Sequence, residues 1–152
     1  MLMKYAHLLR LSVFSYEQED TNQIIGSFLK FFPFDLDDNK IAVKNTEARG
    51  FAEKKIGIIE ATLTKNNTIN LFLQNLLKNL DQHQKEKIKD QKSSRLDQNF
   101  DFFLRFSKDS WIKGNKLELT SSGRCFHLKI SIAAFPKKRE IALKIIDDLF
   151  SQ

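Results

Sequence analysis

Apolar and polar positions along this chain fall into two rhythms, one of period two and one of period 3.6. From Tyr5 to Ser15 the alternation puts His7, Leu9, Leu11 and Val13 on one face of a strand and Arg10 on the other. In the next segment Ile24, Ile25, Phe28, Leu29 and Phe32 recur at helical spacing, with acids early and Pro33 as the stop. Strands are predicted over Ile41–Arg49, entered by a turn at Asp37, Asp38 and Asn39, and over Lys55–Thr64, which is rich in β-branched residues. The clearest helix spans Asn66–Leu80, where Ile69, Phe72, Leu73, Leu76, Leu77 and Leu80 form a wide stripe and Asn67 or Thr68 is placed to cap.

Residues 81–94 favour helix by propensity, yet Ile88 is their only aliphatic side chain, so the expectation is an exposed or projecting segment. Strict alternation returns at Asn99–Ser107, with Phe100, Phe102, Leu104 and Phe106 on one side and Asp101, Phe103 and Arg105 on the other. A helical turn near Ser110–Lys113, a brief strand at Lys116–Leu119 and a turn at 121–124 lead to a strand over Cys125–Phe135. There Phe126, Leu128, Ile130 and Ile132 share a face, opposite His127, Lys129 and Ser131. Pro136 is expected to open a last helix, Lys137–Phe150.

The fold class that follows is α+β, an antiparallel or mixed sheet with helices packed on one face, in one domain over residues 1–152. Alternating strands imply that the second face of the sheet is left uncovered. If the strands are neighbours, that open face gathers Arg10, Phe103, Arg105 and Lys129.

Charge sharpens this picture. The net charge is +6, and the stretch from Arg105 to Arg139 holds nine Lys or Arg against two acids, so the rest of the chain sums to one negative charge. Cations concentrated in one segment, next to an aromatic, suit a polyanion with stackable bases. A second cationic group, Lys137, Lys138 and Arg139, lies at the start of the last helix, where free N–H groups favour anions.

Catalysis has little support. The histidines, at positions 7, 83 and 127, are scattered, and Cys125 with His127 offers only two ligands to a metal. There is no glycine-rich phosphate loop, His-Glu-x-x-His or nucleophile elbow, so no catalytic residue, metal or cofactor is assigned. A single cysteine excludes an intrachain disulfide, and no apolar run approaches the roughly 20 residues of a membrane span. These features point to a cytoplasmic protein with no membrane partner.

Residues 95–140 carry a resemblance. Arg95-Leu96-Asp97, the strand Phe102–Arg105, then Lys108, Trp111 and Gly114, and later Phe135-Pro136 with Lys138-Arg139, follow the pattern of an archaeal family of predicted exosome-associated RNA-binding proteins, formerly a domain of unknown function. The start of the first helix, Glu19-Asp20, resembles that family as well. That resemblance implies a fold similar to the ribosomal protein that holds 5S RNA, and RNA as the partner. The reading is a non-catalytic RNA-binding protein, an accessory factor in RNA processing or degradation, with Arg10, Phe103, Arg105, Lys108, Lys129, Lys137, Lys138 and Arg139 as contacts. The alternative is a protein–protein adaptor or homodimeric module within an RNA-processing assembly.

Overall fold

Five strands form one antiparallel sheet in the computed structural model, which describes residues 3–49 and 55–152. The strands are β1 (Ala6–Tyr16), β2 (Lys44–Arg49), β3 (Lys55–Leu63), β4 (Asp101–Ser107) and β5 (Cys125–Ile132), in the order β2-β3-β1-β5-β4. The helices are α1 (Thr21–Leu29), α2 (Asn66–Asn79), α3 (Gln82–Asp90), α4 (Lys92–Arg95), α5 (Lys108–Gly114) and α6 (Arg139–Phe150). The α+β class read from the sequence is the one observed. Among the described residues, no helix is long and apolar enough to cross a membrane.

Register explains why one side of the sheet is core. Leu9, Leu11 and Val13 of β1 pair with Leu63, Ala61 and Ile59 of β3 and with Ile130, Leu128 and Phe126 of β5. The β4 residues Phe102, Leu104 and Phe106 extend the same rows. All of these side chains are buried, against the stripe of α2 (Ile69, Phe72, Leu73, Leu76), against Ile24 and Phe28 of α1 and against Ala142, Ile146, Leu149 and Phe150 of α6. Phe31 sits among the rings of Phe72, Phe106, Trp111 and Phe126, with centroids 4.9–6.5 Å away.

Several expectations are corrected. His7 is exposed, because a register shift between Ala6 and Leu8 inserts it as the extra residue of a β-bulge, so that Ala6 takes the core position. Residues 81–94 do not project: they form α3 and α4, packed against α6, with Ile88 fully buried. Polar contacts supply what apolar area could not. Lys92 Nζ lies 3.0 Å from Asp147 Oδ1, Lys85 Nζ donates to the Gln152 carbonyl, and Gln84 Oε1 accepts from the Leu119 amide.

Lys116–Leu119 makes no strand of its own; Leu119 forms an isolated bridge to Phe106, and the segment lies along the outer edge of β4. The last helix starts at Arg139, with Lys138 in extended conformation at its cap, so Lys137 and Lys138 belong to a loop and not to the first turn. At α2 the cap position falls on Lys65, and Asn67 Oδ1 accepts from the Thr68 amide inside the first turn.

The Arg95-Leu96-Asp97 motif proves to be turn chemistry. Asp97 Oδ1 accepts from the amides of Asn99 and Asp101, and its carbonyl accepts from Phe100 N–H. Those bonds hold Phe100 at a φ of 65°, a conformation that costs a bulky residue and therefore needs such support.

Candidate nucleic-acid interface

The face of the sheet opposite the helices carries two cross-strand rows. One runs from Arg105 on β4 through His127 on β5 and Ser12 on β1 to Glu60 on β3 and Lys44 on β2. The other runs from Phe103 through Lys129 and Arg10 to Thr62. Strand neighbours lie about 4.8 Å apart, so the first row spans about 19 Å. Arg10, Phe103, Arg105 and Lys129 are thus brought onto one face. Between the rows is a depression of about 290 Å3, lined by Arg10, Ser12, Phe14, Phe103, His127 and Lys129 with Glu60 at one side.

Rings and cations alternate across this surface. Phe103 is 43% exposed, an unusual state for a phenylalanine on a strand flanked by charged residues. Phe14 and His127 lie with ring centroids 5.7 Å apart. Arg10 Nε donates to Thr62 Oγ1 (3.3 Å) and stands 3.9 Å from Glu60, which orients the guanidinium without burying it. Asp101 is engaged by Ser131, whose Oγ donates to Asp101 Oδ1 at 2.6 Å.

Burial, followed by the nearby charges of Arg105 and Lys108, pushes His127 below the ordinary histidine value. The ring is therefore neutral around pH 7. Cys125 Sγ lies 3.4 Å from His127 Nε2, and burial raises the thiol against the smaller opposing pull of Arg105 and Lys108. A thiol held protonated is a poor metal ligand and a poor nucleophile. Among the described residues, no three His, Cys, Asp or Glu side chains are grouped to hold a metal.

Arg95 is a member of this surface that the sequence reading left off its contact set. It donates to Gln91 Oε1 through Nε and Nη2 (2.9 and 2.6 Å) and to the Phe103 carbonyl through Nη1 (3.3 Å). Burial first, then the charge of Arg105, lowers its pKa. Its appearance in Arg-Leu-Asp was the available signal; its folding back onto β4 was not readable from spacing.

The other anticipated contacts separate. Lys108 is corrected: it is 1% exposed, and its ammonium donates to the Phe14 carbonyl (2.7 Å) and to both Glu19 oxygens (3.0 and 3.2 Å). A cation so enclosed has no donor left for a phosphate. Arg139 stays exposed, but its guanidinium donates to the carbonyls of Ser93, Leu96 and Asp97. Lys137 lies over the Phe100 ring, 5.7 Å from its centroid, and both it and Lys138 are exposed. Beside them Phe135 is 94% exposed. This loop follows the end of β5, where Ala133 N–H bonds the Tyr5 carbonyl, so it lies at one end of the sheet and outside the two rows.

An uncovered antiparallel sheet face that interleaves aromatic rings with cations defines a class of surface suited to single-stranded nucleic acid. A family model described as RNA binding matches residues 9–132, and the chain belongs to that RNA_binding family. It is 23% identical over 141 residues to RNA-binding protein PAB1135 of Pyrococcus abyssi, a match covering 93% of this chain and 91% of that protein. Among solved structures it resembles protein AF2318 from Archaeoglobus fulgidus, of family DUF54, with a TM-score of 0.82, 26% identity and coverage of 95% and 99%. The fold is shared with the DUF54 protein Mth689 from Methanothermobacter thermautotrophicus, at a TM-score of 0.75, 23% identity and coverage of 96% and 98%.

Proposed function

We propose that this protein binds RNA, without catalysis, through the uncovered face of its sheet. The observation that carries this reading is the pair of cross-strand rows, in which Arg105, Lys129 and Arg10 flank the exposed ring of Phe103. Arginine and lysine meet phosphates, whereas Phe103 and neutral His127 offer π-faces to unpaired bases. Paired bases would be sealed inside a duplex and out of reach of those rings, so single-stranded RNA is the preferred form. Arg95 joins the phosphate contacts at the β4 edge; Lys137 and Lys138 form an outlying group.

The biological setting proposed is an accessory role in RNA processing or degradation in the cytoplasm, with exosome association, as the archaeal family resemblance implies. The same resemblance supports a likeness to the 5S-RNA-binding ribosomal protein and a chain acting as a single α+β domain. A second reading, an adaptor or homodimeric module, is favoured by Phe135, whose nearly complete exposure suits a protein pocket.

Binding of single-stranded and hairpin RNA, measured across a salt series, tests the first reading. Affinity for the single strand should fall steeply with salt, since each bound phosphate releases counterions. An Arg105→Ala/Lys129→Ala protein that binds as tightly as the parent at low salt would remove the sheet face from consideration and leave the adaptor as the better reading.

A further inference from the structure

The row that leaves the sheet at Thr62 does not end on a flat surface. Strand β2 begins at Lys44, opposite Glu60, so Ala61, Thr62 and Leu63 of β3 have no β2 partner. The chain before β2, residues 39–42, swings past this gap instead of filling it. What remains is a cavity of about 210 Å3 where the sheet, the 39–44 segment and the start of α2 meet. This is also where the sequence expectation of a strand from Ile41 departs from the structure.

The chemistry of the cavity is one-sided. Its lining includes the lysines Lys40, Lys44 and Lys65 and the hydroxyl residues Thr62 and Thr64. All three lysines are exposed residues, and among the described residues none takes part in an ion pair. The one acid in the lining, Glu60, has the Arg10 guanidinium 3.9 Å away on its sheet-face side. Glu60 and Lys44 are direct cross-strand partners, and Glu60 borders both this cavity and the depression on the sheet face. The two concavities thus share Glu60 as a common wall.

We propose that this cavity is a second anion site that takes backbone phosphates of the same RNA strand, extending its path from the sheet face over the β3 edge. The inference rests on the RNA reading of the sheet face and adds a direction to it. The strand would run from Arg105 and Phe103 on β4, past Lys129 and Arg10, to Lys44, Lys40 and Lys65. A short oligonucleotide is satisfied by the sheet rows alone, and only a longer one reaches the lysines.

The test compares oligouridylates of about 4 and about 12 nucleotides, lengths within the range that small single-strand-binding domains occupy. Two neutralised proteins are used, Lys65→Gln and Lys40→Asn/Lys65→Gln. Asparagine is chosen at position 40 because Lys40 has a φ of 57°, which asparagine tolerates better than most side chains. The long RNA should bind the parent several-fold more tightly than the short one. In the double variant, which keeps Lys44, most of that advantage should be lost, and the slope of log affinity against log salt for the long RNA should fall by about 0.7 per lost contact. The short RNA should bind parent and variants alike. If the parent binds both lengths and the double variant keeps the full length advantage, the cavity is not on the path and the sheet-face reading stands alone. If the parent binds neither RNA, both readings fall together. Thermal melts of the variants matching the parent exclude misfolding, and Lys65→Gln, at an exposed position, carries half the expected effect should the double variant melt early.

Discussion

The uncovered sheet face and the 135–139 loop both draw cations from the same charged stretch of sequence, yet the fold uses them differently. On the sheet, Arg105 and Lys129, joined by Arg10 from β1, are set by strand register at fixed spacings beside a half-exposed ring. In the loop, Arg139 is committed to three carbonyls, Lys137 rests on Phe100, and Lys138 stands at a helix cap. Between them in sequence, Lys108 is buried on Glu19, and Arg124 lies 3.7 Å from Glu19 and 3.4 Å from Asp109. A run of positive charge is thus not a patch. Its members divide into those that hold the fold together and those free to meet a ligand.

The largest effect should come from treating a structural cation as if it were a binding one. Lys108→Met leaves the Glu19 carboxylate, itself nearly buried, with only the half-exposed Arg124 guanidinium 3.7 Å away. Breaking one side of a buried pair costs about 3–5 kcal/mol, so urea denaturation should show a loss of that order. RNA affinity of the molecules that remain folded should be unchanged. A Lys108→Met protein as stable as the parent but weak for RNA would reverse the assignment.

Phe103 is expected next. Phe103→Ala should weaken single-stranded RNA binding by about 1–3 kcal/mol with the salt slope almost unchanged, since a stacking contact releases no counterion. Phe135→Ala, on the loop, should change RNA affinity little. Equal losses at the two positions, measured by fluorescence anisotropy, would erase the distinction between the regions.

Charge removal should separate them again, on a smaller scale. Replacing Arg105 and Lys129 together should lower the salt slope for single-stranded RNA by about 1.4, at 0.7 per phosphate. Lys137→Ala/Lys138→Ala should lower it by less, because the loop lies beyond the end of the rows. A loop variant with the steeper loss would move the interface to that end of the sheet.

How much of this was legible follows from what sets each feature. Strand alternation is local, and it correctly separated Leu104 from Arg105 and Leu128 from Lys129, which is why the open face could be anticipated residue by residue. His7 failed because a bulge shifts the phase by one residue, and nothing in the local pattern marks it. Residues 81–94 failed because their docking depends on Lys92 meeting Asp147 and Gln84 meeting Leu119, partners remote in sequence. Lys108 failed for the same reason, since a cation's availability depends on which carbonyls and carboxylates fold beside it. The lysine cavity was invisible because it exists only where β2 stops short of β3.

The smallest effect concerns pH and His127. Its pKa is depressed in the folded protein, by burial and by Arg105 and Lys108, relative to the value near 6.5 that it has in an unfolded chain. Between those two values the unfolded chain holds a proton that the folded one rejects, so stability rises with pH there. The contribution is fully present above about 6.5 and is lost as pH falls toward the folded value. His127→Gln, which cannot titrate, should flatten the pH dependence of the denaturation midpoint below neutrality while leaving the midpoint at pH 8 close to the parent's. RNA adds a second handle on the same group. Phosphates brought to Arg105 and Lys129 would offset the positive field around the imidazole, so bound RNA should raise the His127 pKa, followed through the ring proton shifts by NMR. An anion held only at Lys137 and Lys138, beyond the ends of the rows, would leave it where it was. A His127 titration indifferent to saturating single-stranded RNA would therefore count against the sheet face even if the protein bound RNA well, and in favour of the loop.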